Sequence, residues 1–217
     1  MSLNKAKSIL IESLEGKNAK WARLNLVTYI DPRGKERSWE YASRSTRPKN
    51  SDIDGVGIVA ILRGPPSPSN KSDTAGTSAP RILLQKQFRP PINKVVIEVP
   101  AGLVDEGETG AQAAVRELKE ETGYAGTVTE ETPVMFNDPG FCNTNLTMVH
   151  VNVDLEKEEN RLPKPELEEN EFIECFTVEL SKLYGECRKL EKEGFAIDAR
   201  VGTLAEGIEV AKQWGVN

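Results

Sequence analysis

Residues 102–124 read GLVDEGETGAQAAVRELKEETGY, and this stretch decides the fold. Its small and apolar residues recur at the spacing of an amphipathic helix, and they are Ala111, Ala114, Val115 and Leu118. Gly123 stands where helices commonly end in a left-handed residue. The preceding run VVIEV at 95–99 is short, apolar and followed by Pro100, which predicts a strand. The chain therefore runs from a strand through a glycine-containing loop into a helix.

The helix carries more acidic side chains than a solvated surface needs. Glu117 and Glu121 are four residues apart, so their carboxylates lie one above the other on the helix and repel each other. Arg116 and Glu120 have the same spacing, so Arg116 can steady a neighbouring carboxylate. A hard cation such as Mg²⁺ binds carboxylate and carbonyl oxygens and keeps sites for substrate phosphate oxygens. A solvated acidic face explains the helix, whereas a metal site also explains its charges.

The spacing of the fixed residues resembles the sequence box of the Nudix hydrolases. Gly102 is followed after five residues by Glu108 and after seven more by the run REL at 116–118, with EE at 120–121 and Gly123 completing the box. Seven fixed positions match by chance in roughly one window in 10⁹, given about 5% usage of each residue type. The resemblance implies a mixed-sheet α/β/α sandwich, and the order of strands and helices along this chain agrees with it.

The resemblance also implies a metal centre. Its ligands are expected to be the carbonyl of Ala101 and the side chains of Glu117 and Glu121, with Glu120 as an outer or additional ligand. Arg116 is expected beside them in the catalytic set, and the cofactor is expected to be Mg²⁺, with Mn²⁺ as a substitute. Gly102 is expected to tolerate a positive φ, so that the Ala101 carbonyl faces the helix.

Sequence outside the box resembles the ADP-ribose pyrophosphatases, the branch that acts on nucleoside diphosphate sugars. The shared segments are KW at 20–21, DPRGKERSWE at 31–40, KQFRPP at 86–91, IEVPAG at 97–102, DPG at 138–140 and EFIE at 171–174. The implied reaction is Mg²⁺-dependent hydrolysis of ADP-ribose and related nucleotide sugars to AMP and ribose 5-phosphate. Another nucleoside diphosphate derivative, such as NADH or an oxidised nucleotide, is an alternative substrate. A module that binds ADP-ribose without cleaving it is the more distant alternative, and the complete carboxylate set counts against it.

The general base of this branch lies on the loop after the box. Glu171 in NEFIE is the best match to it, although Glu166, Glu168 and Glu169 crowd the same loop. A carboxylate in this position would take a proton from the attacking water, a role typical of general base catalysis.

Substrate contacts are implied at several separated positions. Trp21 and Trp39, placed at the outer ends of two hairpin strands, match tryptophans that stack on adenine across a dimer with exchanged hairpins. Stacking of a base on an aromatic ring is worth about 1–3 kcal/mol, and packing of both rings on the core is the alternative. Arg44 and Arg89 match substrate-contacting arginines, because a planar guanidinium can hold two diphosphate oxygens. The other implied substrate contacts are Glu40, Glu98, Leu103 and Asp138.

Two units are predicted along the chain. Residues 1–50 form an N-terminal antiparallel hairpin unit for dimerisation and substrate contact, because alternation at 21–30 is followed by a turn at 31–34 and a return strand at 37–44. Residues 51–217 form the catalytic domain, with a flexible insertion at 64–80 that lacks large apolar residues. A homodimer with a shared active site is expected, because an isolated hairpin cannot bury both of its faces.

The later elements are predicted as strands at 127–136, 145–153 and 171–178, followed by helices at 180–194 and 198–214. Asp198 is a plausible N-cap of the last helix. The candidate buried stripe of that helix consists of Ala199, Leu204, Ile208 and Ala211.

Composition narrows the functional class. A net charge of −6 and a pI near 5.1 argue against a nucleic-acid partner, which favours a basic surface. No apolar run approaches a membrane span, and Met1–Leu14 lacks the pattern of a signal peptide, so a cytoplasmic or nuclear location is expected. The three cysteines are expected to be free and mostly buried, and the single histidine, His150, to be structural. The chemistry is therefore expected to rest on carboxylates.

Overall fold

The computed structural model describes residues 3–10, 12, 16–65 and 78–216. The strands are β1 (Ala22–Ile30), β2 (Glu36–Arg44), β3 (Gly55–Arg63), β4 (Arg81–Arg89), β5 (Lys94–Glu98), β6 (Ala101–Leu103), β7 (Thr127–Glu131), β8 (Met135–Phe136), β9 (Asn145–Asp154), β10 (Ile173–Glu179) and β11 (Ala196–Ile197). The helices are α1 (Gly110–Thr122), α2 (Leu183–Lys192) and α3 (Ala199–Trp214). Most of the predicted insertion at 64–80 lies outside the described residues.

Nine strands form one mixed sheet with the order β11-β5-β4-β3-β9-β7. On this sheet β10 pairs with β4, β6 with β3, and β8 with β9. The pairs β3–β9 and β11–β5 are parallel, and the other pairs are antiparallel. The long parallel pair β3–β9 is buried on both faces, as near-continuous apolar runs are in such sheets.

A hydrophobic core covers each face of the sheet. On one face, α1 packs Ala113, Ala114 and Leu118 against strand residues that include Ile58 and Val149. On the other face, α2 and α3 pack on a second cluster, whose helical members are Leu183, Cys187, Leu190, Val201 and Ala205. The architecture is a sheet between helical layers, so the predicted fold class is confirmed.

Strands β1 and β2 form a separate two-stranded ribbon, which confirms the predicted hairpin. Asp31 closes its turn by accepting hydrogen bonds from the backbone N–H groups of Arg33 and Lys35, both at 2.9 Å. Large apolar side chains on both faces of the ribbon are exposed, Leu24 at 77% and Val27 at 41%. Within one chain, the ribbon therefore has too little contact to cover its apolar surface. The proposed boundary between residues 50 and 51 stays a prediction.

A buried ion pair fixes the chain where it leaves the ribbon. Arg47 donates to both carboxylate oxygens of Asp54, at 2.9 and 2.6 Å, and Asp54 also accepts from the backbone N–H of Asn145 at 2.9 Å. Burial alone raises the pKa of Asp54, but the hydrogen bonds and charge of Arg47 hold that pKa below its ordinary value. The entry into β3 is thereby tied to the start of β9.

Three predictions about the later elements are wrong in detail. The strand predicted at 127–136 is two strands, because the chain bends at 132–134 and Pro133 has no N–H to donate. In α3 the fully buried residues are Val201 and Ala205, whereas Leu204 and Ile208 pack on the core but are only partly buried, because they also line an open cleft; Ala211 lines the same cleft and Ala199 is exposed. The three cysteines are free, but only Cys187 is buried. No helix in the described part of the chain is long and apolar enough to span a membrane.

Candidate active site

Helix α1 has well-defined ends that place its acidic face. The Thr109 side chain accepts from the backbone N–H of Gln112, and the Gln112 side chain accepts from the Thr109 N–H, so the two form a capping box. Gly123 ends the helix with a φ of 77°, as the sequence predicts. Both ends are therefore specified locally, and the carboxylates between them have a fixed position over the sheet.

Arg116 is the centre of the charge network on this helix. Its guanidinium donates to both oxygens of Glu108 at 2.9 Å, to Glu117 Oε1 at 2.9 Å and to Glu120 Oε2 at 3.1 Å. It also donates to the carbonyl of Leu103 at 3.0 Å. The hydrogen bonds to Glu108 contribute most to a raised pKa of Arg116, so this group stays charged. The prediction that Arg116 steadies its neighbours agrees with this geometry.

Gly102 is required by a close contact. A Cβ built on Gly102 would lie 1.9 Å from Oε1 of Glu117, so any larger residue would displace that carboxylate. Gly102 is absent from the glycines with positive φ, and the expected left-handed conformation is therefore wrong. It lies in β6 and pairs with Val56 of β3, where the missing side chain gives the Glu117 carboxylate its place against the strand.

Glu121 is the most deeply buried carboxylate of the helix, with 4% exposure. Its Oε2 accepts from the backbone N–H of Ala101 at 3.0 Å, and its Oε1 accepts from Nε2 of Gln85 at 3.4 Å. Burial raises the pKa of Glu121 to about 8, and the negative charges of Glu117 and Glu171 add to the rise. Without a cation, this carboxyl group therefore binds a proton near neutral pH.

Glu171 lies close enough that its charge raises the pKa of both Glu117 and Glu121, although burial is the main cause of each rise. Its Oε2 accepts from the backbone N–H of Glu168 at 3.0 Å, which holds the side chain against its own loop. Glu166, Glu168 and Glu169 are not among the main causes of these two shifts, and all three are exposed. The geometry supports Glu171 over its neighbours.

A cleft of about 980 Å³ opens beside this acidic helix. Among the predicted site residues, it is lined by Arg44, Arg89, Ala101 and Leu103. Its far wall is apolar and includes Met148, Leu204 and Ile208, together with His150. His150 forms part of this wall and has no side-chain hydrogen bond to any described residue, so its structural role stays a prediction.

Arg89 and Glu98 form a close ion pair at the edge of the cleft. Arg89 donates through Nε and Nη2 to the Glu98 carboxylate, the shortest distance being 2.7 Å. Glu98 is 4% exposed, so it is not the solvated glutamate that a strand position also allowed. The pair presents an orientated guanidinium at the cleft, as diphosphate recognition needs.

Arg200 is a cleft residue that sequence reasoning missed. Its Nε and Nη2 bind the Asp198 carboxylate at 2.7 and 3.0 Å, and its positive charge lies near Glu98 and Glu121. Its Nη1 has no hydrogen bond to any described residue. The sequence feature that could have identified Arg200 is its position in the first turn of α3. A cation there interacts unfavourably with the helix dipole, which suggests a functional role.

Besides Glu98, which pairs with the cleft residue Arg89, four predicted substrate contacts do not line the cleft of their own chain: Trp21, Trp39, Glu40 and Asp138. Trp21 and Trp39 are 72% and 51% exposed, so packing of both rings on the core is wrong. Trp39 lies opposite Val27 in the middle of the ribbon and not at its outer end. Its indole Nε1 donates to the carbonyl of Gly140 at 3.1 Å, which links the ribbon to the DPG loop.

The acidic groups suit a divalent cation. Glu117, Glu121 and Glu171 crowd negative charge together, and the burial of the first two makes that charge costly without a counter-ion. Within the described ranges, no three His, Cys, Asp or Glu side chains already converge on one point in the manner of a preformed metal cage. The implied set includes a backbone carbonyl, that of Ala101, and so does not depend on side chains alone.

This fold and site define a Nudix protein. The family model described as NUDIX domain matches residues 73–199, and the chain belongs to this family of hydrolases. The family predicted from residues 102–124 is confirmed.

The chain is also similar to several characterised or named proteins. It is 50% identical over 202 residues to an ADP-ribose pyrophosphatase of Saccharomyces cerevisiae, covering 93% of this chain and 83% of that one. It is 34% identical over 183 residues to an ADP-sugar pyrophosphatase of Mus musculus, covering 84% and 78% respectively. A crystal structure of an ADP compounds hydrolase aligns with 91% of this chain and 90% of its own, at a TM-score of 0.53 and 16% identity. At that identity, the structural likeness supports the fold alone.

Proposed function

We propose that this protein hydrolyses the diphosphate bond of ADP-ribose, and of related nucleoside diphosphate sugars, to AMP and ribose 5-phosphate. The observation that carries the proposal is the proximity of Glu171 to the buried carboxylates Glu117 and Glu121, next to the Ala101–Gly102 segment that lines a cleft containing Arg44 and Arg89. The similarity to an ADP-ribose pyrophosphatase over 93% of the chain supports the choice of substrate.

The chain supplies both binding and proton transfer. Arg89, held by Glu98, and Arg44 bind diphosphate oxygens through charge-assisted hydrogen bonds. Glu171 accepts the proton of a water molecule whose oxygen attacks one phosphorus atom in line. The bond from that phosphorus to the bridging oxygen breaks, and the bridging oxygen leaves on the other phosphate.

Mg²⁺ is the proposed cofactor, with Mn²⁺ as a substitute. Glu117 and Glu121 would hold it together with the Ala101 carbonyl, and Glu120 would be an outer or additional ligand. When bound, the cation neutralises the diphosphate and makes water more acidic. The close packing of Glu117 over Gly102 keeps the first of these carboxylates at the cleft.

A homodimer with exchanged ribbons is the proposed functional unit. Trp39 pairs across the ribbon with Val27, six residues along β1 from Trp21. At about 3.3 Å per residue, the backbones of Trp21 and Trp39 lie about 20 Å apart along the ribbon, which argues against a sandwich of one adenine within a chain. Trp21 of one chain and Trp39 of another can meet if the ribbons are exchanged. The exposed apolar side chains on both ribbon faces support such an interface.

AMP release from ADP-ribose, measured with and without Mg²⁺, tests the proposal directly. ADP-glucose, NADH and diadenosine polyphosphates serve as competing substrates. Rapid, Mg²⁺-dependent cleavage with preference for ADP-ribose is expected. Preference for another compound would keep the Nudix chemistry and overturn the proposed substrate, whereas binding of ADP-ribose without cleavage would favour a sensing module.

Sedimentation equilibrium tests the proposed homodimer and is expected to give twice the chain mass of 24.0 kDa.

A further inference from the structure

Gln85 is a buried amide at a strand position that faces the hydrophobic core, where an apolar side chain is expected. It lies in the middle of β4 and is 0% exposed. It shares the α1-facing side of the sheet with Leu83, which belongs to the apolar core under α1. Its register partners on the neighbouring strands are Glu98 and Cys175.

The hydrogen bonding of this amide is incomplete. Nε2 of Gln85 donates to Glu121 Oε1 at 3.4 Å, and Oε1 of Gln85 is buried with no hydrogen-bond partner among the described residues. A buried polar group without its partner costs about 1–3 kcal/mol, whereas an apolar residue of similar shape avoids that cost. Gln85 therefore does not serve the stability of the sheet.

The side chain of Gln85 makes one hydrogen bond within the described residues, and its partner is a proposed metal ligand. Glu121 receives one hydrogen bond from the Ala101 backbone on Oε2 and one from Gln85 on Oε1, so donors from two different strands hold its two oxygens. A carboxylate with both oxygens held has little freedom to rotate. Partners of this kind orient metal ligands, and their loss typically lowers metal affinity by 10- to 100-fold.

We propose that Gln85 is a positioning residue, which orients the Glu121 carboxylate for the divalent cation. The inference rests on the proposed function, because it takes Glu121 as a metal ligand. It goes further in assigning a role to a strand residue outside the Nudix box. It also predicts that the Gln85 amide lowers the free energy of unfolding relative to an apolar side chain.

The test replaces the amide with an apolar side chain of nearly the same shape, Gln85→Met. Gln87→Met is the matched control, because Gln87 lies two residues along the same strand and makes no side-chain hydrogen bond within the described part of the chain. Mn²⁺ binding to the metal-free protein is measured by electron paramagnetic resonance without substrate. Thermal unfolding is measured in EDTA, and AMP release is measured across a range of Mg²⁺ concentrations.

We expect Gln85→Met to weaken Mn²⁺ binding by about 10- to 100-fold, with an unchanged or higher Tm. The metal concentration for half-maximal rate should rise by a similar factor, and saturating Mg²⁺ should restore most of kcat. In a Glu121→Gln background, Gln85→Met should change metal binding no further, because the two residues act as one unit. The control should match the wild type in metal affinity.

Three results would overturn the inference. Unchanged Mn²⁺ affinity in Gln85→Met would remove the positioning role while leaving the proposed function intact. A lower Tm with unchanged metal affinity would make Gln85 a core residue only. Failure of the wild-type protein to bind Mn²⁺ would remove the proposed metal site itself. If Gln85→Met does not fold, Gln85→Leu provides the same comparison.

Discussion

The acidic helix α1 and the β1–β2 ribbon differ in how many of their functional side chains have partners within a single chain. On α1, Arg116 bonds three glutamates and Glu121 is held by two donors, so nearly every charged group has a partner in the same chain. On the ribbon, Trp21 and Trp39 are largely exposed and lie in different parts of the strand pair. The difference is what the proposed dimer would explain, with cleavage chemistry built within one chain and base recognition completed by a second.

Substitution of Glu117 tests the local half of this comparison and should have the largest effect. Glu117→Gln removes a proposed ligand whose position is fixed by Gly102. The Mg²⁺-dependent rate of ADP-ribose hydrolysis should fall by more than about 10³-fold, since a direct ligand matters more than the outer partners that cost 10- to 100-fold. Glu206→Gln, an exposed glutamate on α3, is the control. Normal turnover of Glu117→Gln at ordinary Mg²⁺ would refute the ligand assignment.

Substitution of Glu171 separates proton transfer from metal binding within the same region. Glu171→Gln should lower kcat by about 10²-fold, the usual share of a general base, while Mn²⁺ affinity changes little. Glu169→Gln on the same loop is the matched control, because Glu169 is exposed and is not among the main causes of the raised pKa values of Glu117 and Glu121. If Glu169→Gln loses activity and Glu171→Gln keeps it, the general base is Glu169 and not Glu171.

Subunit mixing tests the other half of the comparison. Trp21→Ala and Trp39→Ala should each raise the KM for ADP-ribose by about 5- to 100-fold, given about 1–3 kcal/mol for base stacking. A dimer made from one chain of each variant has one active site with both tryptophans intact. Random mixing of the two weakened variants should therefore raise activity at low substrate to at least about one quarter of the wild-type value. No recovery on mixing would mean that both rings act within one chain.

These regions also show why sequence predicted one half of the site better than the other. The carboxylates of α1 come from a single helix, whose fixed 3.6-residue period places Glu117 and Glu121 together before any tertiary contact is known. The roles of Gln85 and Arg200 depend on β4 and α3 meeting α1, and those contacts span many residues of chain. Each nevertheless broke a local rule, as a polar residue in a buried strand and a cation in the first turn of a helix.

Other errors in prediction share one physical cause. Periodicity alone predicts the stripe of α3, and it identifies an apolar face without showing whether protein or a cleft lies against it. The sequence predicts a backbone role for Gly102, although the contact with Glu117 is what excludes a side chain. The sequence also predicts Trp39 at a strand end, because the ribbon register follows from the turn and is hard to count from the sequence alone. Packing, not local propensity, decided all three.

The smallest expected effect is on the pH dependence of the free energy of unfolding, which should differ between α1 and the β1–β2 ribbon. The pKa of Glu121 is raised from 4.5 to about 8, so its contribution to stability is complete below pH 4.5 and is lost as pH rises through about 8. The pKa of Asp31 in the ribbon turn is lowered, chiefly by the backbone N–H of Lys35, so its contribution has the opposite sign and is lost only in acid.

In EDTA, Glu121→Gln should therefore stabilise the protein at pH 8.5 but not at pH 5, by about 1 kcal/mol or about 2–4 °C in Tm. Asp31→Asn should give no gain at pH 8.5, because ionised Asp31 is favoured in the fold. Saturating Mg²⁺ should remove the advantage of Glu121→Gln, since a cation compensates the buried charge of the wild type and binds the variant poorly. If Glu121→Gln is destabilising at pH 8.5 even in EDTA, the buried carboxylate is not under strain. The proposed cation at α1, which rests on uncompensated negative charge at Glu121, would then lose its support.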